Sequence, residues 1–331
     1  MYSLKEIDFD TWSSIWNDCY KTNLLQSWEY GTAKENVENW TAVRFSIKNN
    51  DDQNVGLVQV LIKKLPIIGN IARINRGPIL NRKMTGDDKD EVVINIVKEL
   101  IVESKKRSWR LFQIAPELNE KNTSHKSLEA FGLKRLSSSA WASGLLSLDL
   151  NEDDLLMSLK GKWRNCLRKA MRSDISITNN EINSINIQEI LDAYNIIKED
   201  KNFSGISNSL LKSLSSQNSH NWRVCSFSAR IKKSKTSGEP IGTLVSIIHG
   251  DIAIYLIGTT NAVGRKLNAN YLLLWNAILD AKEKRCNWFD IGGLNKTTPD
   301  GIAHFKKGLN PDLYELIGEW RIFNFPWKRI K

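Results

Sequence analysis

Two stretches decide the fold of this 331-residue chain, Lys105–Ile114 (KKRSWRLFQI) and Lys282–Ile291 (KEKRCNWFDI). Each starts on the basic end of a helix and passes within a few residues into a short apolar run, as when a helix feeds a buried strand. The helix before the first spans Asp87–Arg107, opened by acids and closed by Lys105, Lys106 and Arg107, the order the helix dipole favours. The helix before the second spans Asn270–Arg285 and carries Leu272, Trp275, Ile278 and Leu279 on one stripe. Placing Arg107 opposite Arg285 makes the chain two copies of one α/β unit. The alternative is a chance likeness of two common junctions.

The flanking segments keep the same order. Ahead of the first junction come a helix over Phe9–Tyr20, a short helix after Ser27, and strands over Trp40–Ile47, Asn54–Leu65 and Ile71–Ile74, the last running into the turn Arg76-Gly77-Pro78. Ahead of the second come strands over Asn221–Ile231, Pro240–His249 and Ile252–Gly258. The stretches Thr178–Ile187 and Lys232–Glu239 read as polar loops. This divides the chain into residues 1–150 and 151–331, with the C-terminal segment a candidate to pack back on the first half.

The second half opens on a basic helix over residues 153–173. Leu156, Leu159, Trp163 and Leu167 give it an apolar face, and Lys160, Arg164, Arg168 and Arg172 recur every fourth residue as a basic stripe. Like charges at that spacing repel by a few tenths of a kcal/mol per pair. Phosphates of RNA would neutralise them, although a solvated face reads the same way. A net charge of +10 agrees with a polyanionic partner. The four cysteines and four histidines are scattered, so neither a metal site nor a disulfide framework is expected. No apolar run approaches the roughly 18–20 residues that span a bilayer, and the cytoplasm is the expected location.

Three features could carry chemistry. Asp290-Ile291-Gly292-Gly293 ends a buried strand, where ligands collect in open α/β sheets. Asp290 there orients a ligand, acts as a base or caps a turn. Lys306, beside Phe305 in Phe305-Lys306-Lys307-Gly308, is placed to meet an oxyanion or a phosphate, unless it is a surface lysine. Gly264-Arg265-Lys266-Leu267-Asn268-Ala269-Asn270 has one glycine, where a coenzyme A pyrophosphate cradle would need a glycine-rich turn. A thioester donor is therefore disfavoured.

Together these segments resemble the FemABX family. Leu25-Gln26-Ser27-Trp28-Glu29-Tyr30-Gly31 with Lys34 is similar to the family's opening stretch, and Arg76-Gly77-Pro78-Ile79 to its strand-end turn. Residues 156–172 resemble its basic segment. Asn270–Trp275 with Trp288–Gly293, and Phe305–Gly308 with Glu315–Trp320, resemble its closing motifs. The resemblance implies two tandem GNAT-like α/β domains, with mixed sheets flanked by helices and no coiled-coil arm.

It also implies transfer of an amino acid from aminoacyl-tRNA to an amine of a peptidoglycan precursor or another envelope acceptor, with no metal or cofactor. Lys34 would contact the acceptor's diphosphate, with Trp28, Arg76, Tyr271, Gly292 and Gly293 lining the substrate sites. Lys306, with Phe305, would sit at the reacting ester near Asp290. A lipid-linked acceptor would bring the protein to a membrane surface. Acyl-CoA-dependent N-acyl transfer to an amino sugar or peptide amine is the alternative, and only there would acetyl-CoA enter. Two departures weaken a nucleotide-linked acceptor. Gln113-Ile114-Ala115-Pro116-Glu117 lacks the family's acid before proline unless Glu117 substitutes, and Phe203–Ser207 lacks an arginine.

Overall fold

The computed structural model describes residues 1–324 except 68, 85, 87, 121–123, 138–139, 183–186, 202–204 and 233–238. Parts of Lys232–Glu239 and Phe203–Ser207, and four residues of Thr178–Ile187, lie outside the described residues. The chain divides into two compact units, Met1–Ala142 with Tyr314–Lys331, and Ser143–Leu313.

In the first unit the elements run β1 (Ser3–Glu6), α1 (Phe9–Asn17), α2 (Trp28–Glu38), β2 (Thr41–Lys48), β3 (Asn54–Leu65), β4 (Gly69–Asn75), β5 (Ile79–Leu80), α3 (Lys89–Lys106), β6 (Leu111–Ala115), α4 (His125–Ala130) and β7 (Lys134–Arg135). Asp8 caps α1 by accepting from Thr11 N at 3.0 Å, and Ser27 caps α2 by accepting from Tyr30 N at 3.1 Å. Helix α1 stops at Asn17, short of the expected Tyr20. There Cys19 bridges to Asn81, and Tyr20 N donates to Leu80 O, so strand pairing replaces the helical bonds.

The second unit contains β8 (Ala142–Ser147), α5 (Glu152–Ser158), α6 (Gly161–Met171), β9 (Ile175–Glu181), α7 (Ile187–Lys201), α8 (Asn208–Ser215), β10 (Trp222–Ile231), β11 (Gly242–His249), β12 (Ile252–Thr260), α9 (Ala262–Lys266), α10 (Ala269–Glu283), β13 (Trp288–Asp290) and α11 (Asp300–Lys307). Then come β14 (Asp312–Glu315) and β15 (Trp320–Phe323). Residues 178–181, expected in a loop, form the end of β9. Their backbone pairs with β10 at the edge of the sheet, which leaves the four residues exposed, and Asn179 donates to Asp280 Oδ1 at 2.6 Å. The basic segment 153–173 is two helices rather than one. Leu159 and Lys160 adopt extended backbone angles between α5 and α6, and Lys160 N donates to Gly308 O at 3.0 Å.

The two sheets follow one plan. Their orders are β1-β2-β3-β4-β6-β15-β7 and β9-β10-β11-β12-β13-β8-β14. Each starts as an antiparallel meander of four strands. Each then places its last meander strand parallel to the strand after the long helix, Ile71 opposite Leu111 and Ile252 opposite Trp288. An antiparallel strand from elsewhere in the sequence follows, β15 beside β6 and β8 beside β13.

The repeat is real, but its register differs by one residue from the alignment of Arg107 with Arg285. Helix α3 ends with Ser108 in the left-handed region and Trp109 N donating to Ser104 O. Helix α10 ends with Arg285 left-handed and Cys286 N donating to Ala281 O. Ser108, not Arg107, is the equivalent of Arg285. One core packs Val93, Ile96, Val97, Leu100 and Trp320 in the first unit, and another packs Leu273, Trp275, Ile278 and Phe289 in the second.

Candidate active site

In the second unit, the carboxyl end of β13 builds a small polar centre. Asp290 is buried, and its Oδ1 accepts from Gly292 N at 2.8 Å and from the Ser143 hydroxyl of β8. The aspartate thus closes a turn over its own strand end. Ser143 Oγ lies equally within reach of Gly292 O, at 2.9 Å. Gly292 has φ +73°, and a Cβ there would stand 2.6 Å from Tyr255 O and 3.2 Å from Lys306 Nζ. Backbone conformation and space both require glycine.

Lys306 comes to this turn from α11 and is only 6% exposed. Its Nζ donates to Gly293 O at 3.2 Å and lies 4.8 Å from the centre of the Tyr255 ring on β12. Burial lowers the ammonium from its ordinary 10.5 to about 8, and the Asp290 carboxylate opposes that shift. Burial also pushes the Tyr255 phenol up to about 12, so the ring is a neutral wall. An ammonium has three donors and Gly293 O takes one. A preorganised, partly dehydrated cation of this kind suits a site where negative charge develops.

Phe305, next in sequence, belongs to an aromatic cluster. Its ring stacks on Trp163 at 6.0 Å and meets Tyr271 edge-on at 5.0 Å, and Trp163 and Tyr271 are 5.0 Å apart. Burial, and secondarily the neighbouring Cys166, push the Tyr271 phenol up to about 12. Gly308 lets α11 end against this cluster, because a Cβ there would come 2.4 Å from Trp163 Cδ1. Asp290, Gly292, Gly293 and Lys306 therefore share one centre, and Phe305 with Tyr271 anchors the helix that carries Lys306.

The three residues expected in the first unit sit in three settings. Trp28 carries the Arg44 guanidinium 3.7 Å from its ring centre, and Arg44 also donates to Gln59 Oε1 at 2.9 Å and to Trp28 O at 3.0 Å. Lys34 pairs with Glu38 along α2 and lies 6.0 Å from the centre of the Tyr30 ring. Arg76, buried and left-handed at φ +51°, forks onto Glu117 at 3.1 and 2.9 Å and donates to the Tyr314 hydroxyl at 3.0 Å. Glu117 is thus the acid paired with the arginine of the Arg76-Gly77-Pro78 turn.

The basic stripe is not continuous. Lys160 is the exposed residue at the helix break, while Arg164 turns back to donate to Met157 O at 2.7 Å, closing the end of α5. Arg168 and Arg172 are exposed, joined by Lys162 and Lys169. Sequence reasoning missed Ser143 and Tyr255, which lie on strands remote from Lys306 along the chain and carry no motif of their own. It also missed Trp163 as a neighbour of Phe305, having assigned it only to an apolar helix face.

A model of the FemAB family matches residues 186–331. No curated protein matches the sequence. The crystal structure of FemX is similar to this chain with a TM-score of 0.76 and 15% sequence identity, covering 97% of each chain. A conserved protein of unknown function from Bacteroides thetaiotaomicron VPI-5482 is similar at 0.55 and 14%, covering 97% of this chain and 99% of that one. L-PGS from Bacillus licheniformis is similar at 0.52 and 10%, covering 98% and 94%. At these identities the likeness to solved structures is one of fold, and that fold has the expected two α/β units, with mixed sheets flanked by helices. Residues 186–331, which include Asp290, Gly292, Gly293, Phe305 and Lys306, thus match the FemAB-family model, within a chain whose fold is similar to FemX over 97% of its length.

Proposed function

We propose that this chain is an aminoacyltransferase that moves an amino acid from aminoacyl-tRNA to an amine of a peptidoglycan precursor or a related envelope acceptor. Its coarser part, acyl transfer of the FemAB type, is supported by the family match and the fold. The observation that carries the finer reading is Lys306, a buried ammonium held by Gly293 O within the FemAB-matched segment. Attack of an amine on an ester carbonyl builds charge on the carbonyl oxygen, and a fixed cation stabilises that charge without reorganising. Asp290 and Gly292 position the lysine, and Phe305 with Tyr271 holds its helix. The remaining work is alignment of amine and ester.

The donor is assigned to tRNA because exposed Lys160, Lys162, Arg168, Lys169 and Arg172 offer a basic surface to phosphates. Lys34, Trp28 and Arg76 are assigned to the acceptor. Among the described residues no helix is long and apolar enough to cross a membrane, so a lipid-linked acceptor would be met at the membrane surface.

The test is incubation with mixed aminoacyl-tRNAs and nucleotide- or lipid-linked precursors, read by mass spectrometry, with acetyl-CoA as a separate arm. The expected result is a precursor one aminoacyl residue heavier, absent with Lys306→Met. Product from acetyl-CoA alone would reassign the donor. Undiminished turnover by Lys306→Met would remove that lysine from the chemistry.

A further inference from the structure

The β3–β4 hairpin of the first unit and the β11–β12 hairpin of the second hold the same place in the repeated strand order, yet their tips differ in kind. The second closes through Gly250 and Asp251, with Gly250 left-handed at φ +67° and His249 paired to Ile252. Those are turn residues suited to water. The first reads Lys63-Lys64-Leu65-Pro66-Ile67 ahead of Gly69, which pairs with Leu65. Pro66 is exposed there, and Ile67 is 98% exposed, an aliphatic side chain held almost wholly in water. Single exposed apolar residues are ordinary, so the surroundings of this one decide what it means.

Those surroundings are cationic. Lys64 is exposed beside the tip, and the exposed Arg110 packs against its base, where a Cβ on Gly69 would stand 3.0 Å from Arg110 Cγ. Arg110 N donates to Asn70 O at 2.8 Å, and Asn324 N donates to Arg110 O at 2.9 Å. Asn324 Nδ2 also donates to Ser104 Oγ at 2.9 Å, which brings the last turn of α3, with exposed Lys105 and Lys106, to the same end of the sheet. Glu38 and Glu103, on the helices that end here, are paired with Lys34 and Arg107. Asn324 lies two strand spacings, about 10 Å, from Asn70. The chain continues from it as Phe325-Pro326-Trp327-Lys328-Arg329-Ile330-Lys331, aromatic and basic without one acid.

We propose that this end of the first unit docks on the anionic face of a lipid bilayer, with Pro66 and Ile67 entering the headgroup region and Lys64, Lys105, Lys106 and Arg110 meeting lipid phosphates. The combination is that of an interfacial anchor, in which apolar side chains enter the boundary and basic ones hold the surface charge. Aromatic residues with lysine and arginine, as in 325–331, belong to the same zone. An RNA backbone would engage the cations equally, but Pro66 and Ile67 offer no aromatic face on which a base could stack. Docking here leaves the carboxyl ends of the strands open, because Arg76 lies seven residues beyond Gly69, about 23 Å along an extended strand. It does not depend on aminoacyl transfer and is measured without turnover.

The experiment is co-sedimentation of the full chain with vesicles of equal parts phosphatidylglycerol and phosphatidylcholine, and with phosphatidylcholine alone, over a salt series. The wild type is expected to bind the first and not the second, and to bind more weakly as salt rises. Lys64→Gln with Lys105→Gln should weaken binding roughly 25-fold, about fivefold for each cation. Ile67→Ser should weaken it roughly tenfold, with an unchanged melting temperature because the side chain is in water. Ile196→Ser removes an exposed isoleucine from α7 of the second unit and should bind as the wild type does. Failure of the wild type to bind anionic vesicles, full binding by Ile67→Ser, or an equal loss in Ile196→Ser would overturn the assignment. Loss of tRNA affinity in the double lysine variant, with vesicle binding intact, would overturn it too and give this surface to RNA.

Discussion

At the scale of single residues, the proposed chemistry depends on a lysine that the fold does not hold cheaply. The shift of Lys306 from 10.5 to about 8 corresponds to about 3 kcal/mol against the buried ammonium. Below about pH 8 the folded and unfolded chains both carry the charge, and the folded state bears the whole penalty. Between about 8 and 10.5 the unfolded chain binds a proton that the folded chain does not, so stability rises with pH through that window. Lys306→Met is therefore expected to be inactive yet about 1–3 kcal/mol more stable at pH 7, with the gain shrinking above pH 8; parallel chemical denaturations across pH measure it. If the cation does the work, the wild-type rate should fall as pH rises through about 8, and that limb should move upward in Lys306→Arg. Lys306 and Asp290 were legible in the sequence because an aromatic-lysine pair and an Asp-x-Gly-Gly strand end are local signals. Ser143 and Tyr255 were not, because a serine or tyrosine in a strand is ordinary until the sheet places it.

At the scale of elements, the helix and strand periods of both halves were readable, and the largest misreading was the basic segment. Its four-residue spacing of charge continues across Leu159 and Lys160, but the helix does not. Leu159 must stay buried while Lys160 N reaches Gly308 O, and no local pattern announces a bond across nearly 150 residues. The break divides the arginines by task. Arg164 caps α5 through Met157 O, so Arg164→Ala should cost about 0.5–1.5 kcal/mol of stability. The same change should leave the salt dependence of tRNA binding nearly unaltered. Arg168→Ala with Arg172→Ala removes two exposed charges, and should flatten the slope of log affinity against log salt by about 1–2 units while sparing stability. Filter binding over a salt series with parallel melts distinguishes the two; equal slopes in both variants would move the RNA face elsewhere. A methyl on Gly308, 2.4 Å from Trp163, would displace the start of α6 and the end of α11 together, so Gly308→Ala is expected to lower both stability and turnover.

At the scale of the whole molecule, the two sheets share an order of strands, and each carries polar side chains where the pairing of its two parallel strands ends. In the first sheet Arg76 after β4 forks onto Glu117 after β6, and in the second Tyr255 of β12 and Asp290 of β13 frame Lys306. Ligands collect at such strand ends in open α/β sheets, so the repeated strand order offers two equivalent positions that could take different chemistry. The repeat was visible in the sequence as paired helix–strand junctions, but the strand completing each sheet was not. Periodicity identifies a strand without naming its neighbour, and β15 lies some two hundred residues beyond β6 while pairing with it, Trp320 opposite Ile114. Trp320 is fully buried in the first core, and β15 separates β6 from β7 in the sheet order. Ending the chain after Leu313 would therefore take a central strand from the first unit and expose its core, although the second unit retains β8 to β13. Loss of a buried tryptophan alone costs about 3–5 kcal/mol, of the same order as the total stability of many domains. The truncated chain is expected to lose protection from hydrogen exchange across β2–β6 while α10 and β11–β13 remain protected, as measured by mass spectrometry of peptic fragments. Uniform loss across both sheets would show that neither unit stands without the other, and full protection of β6 would show that β15 is dispensable.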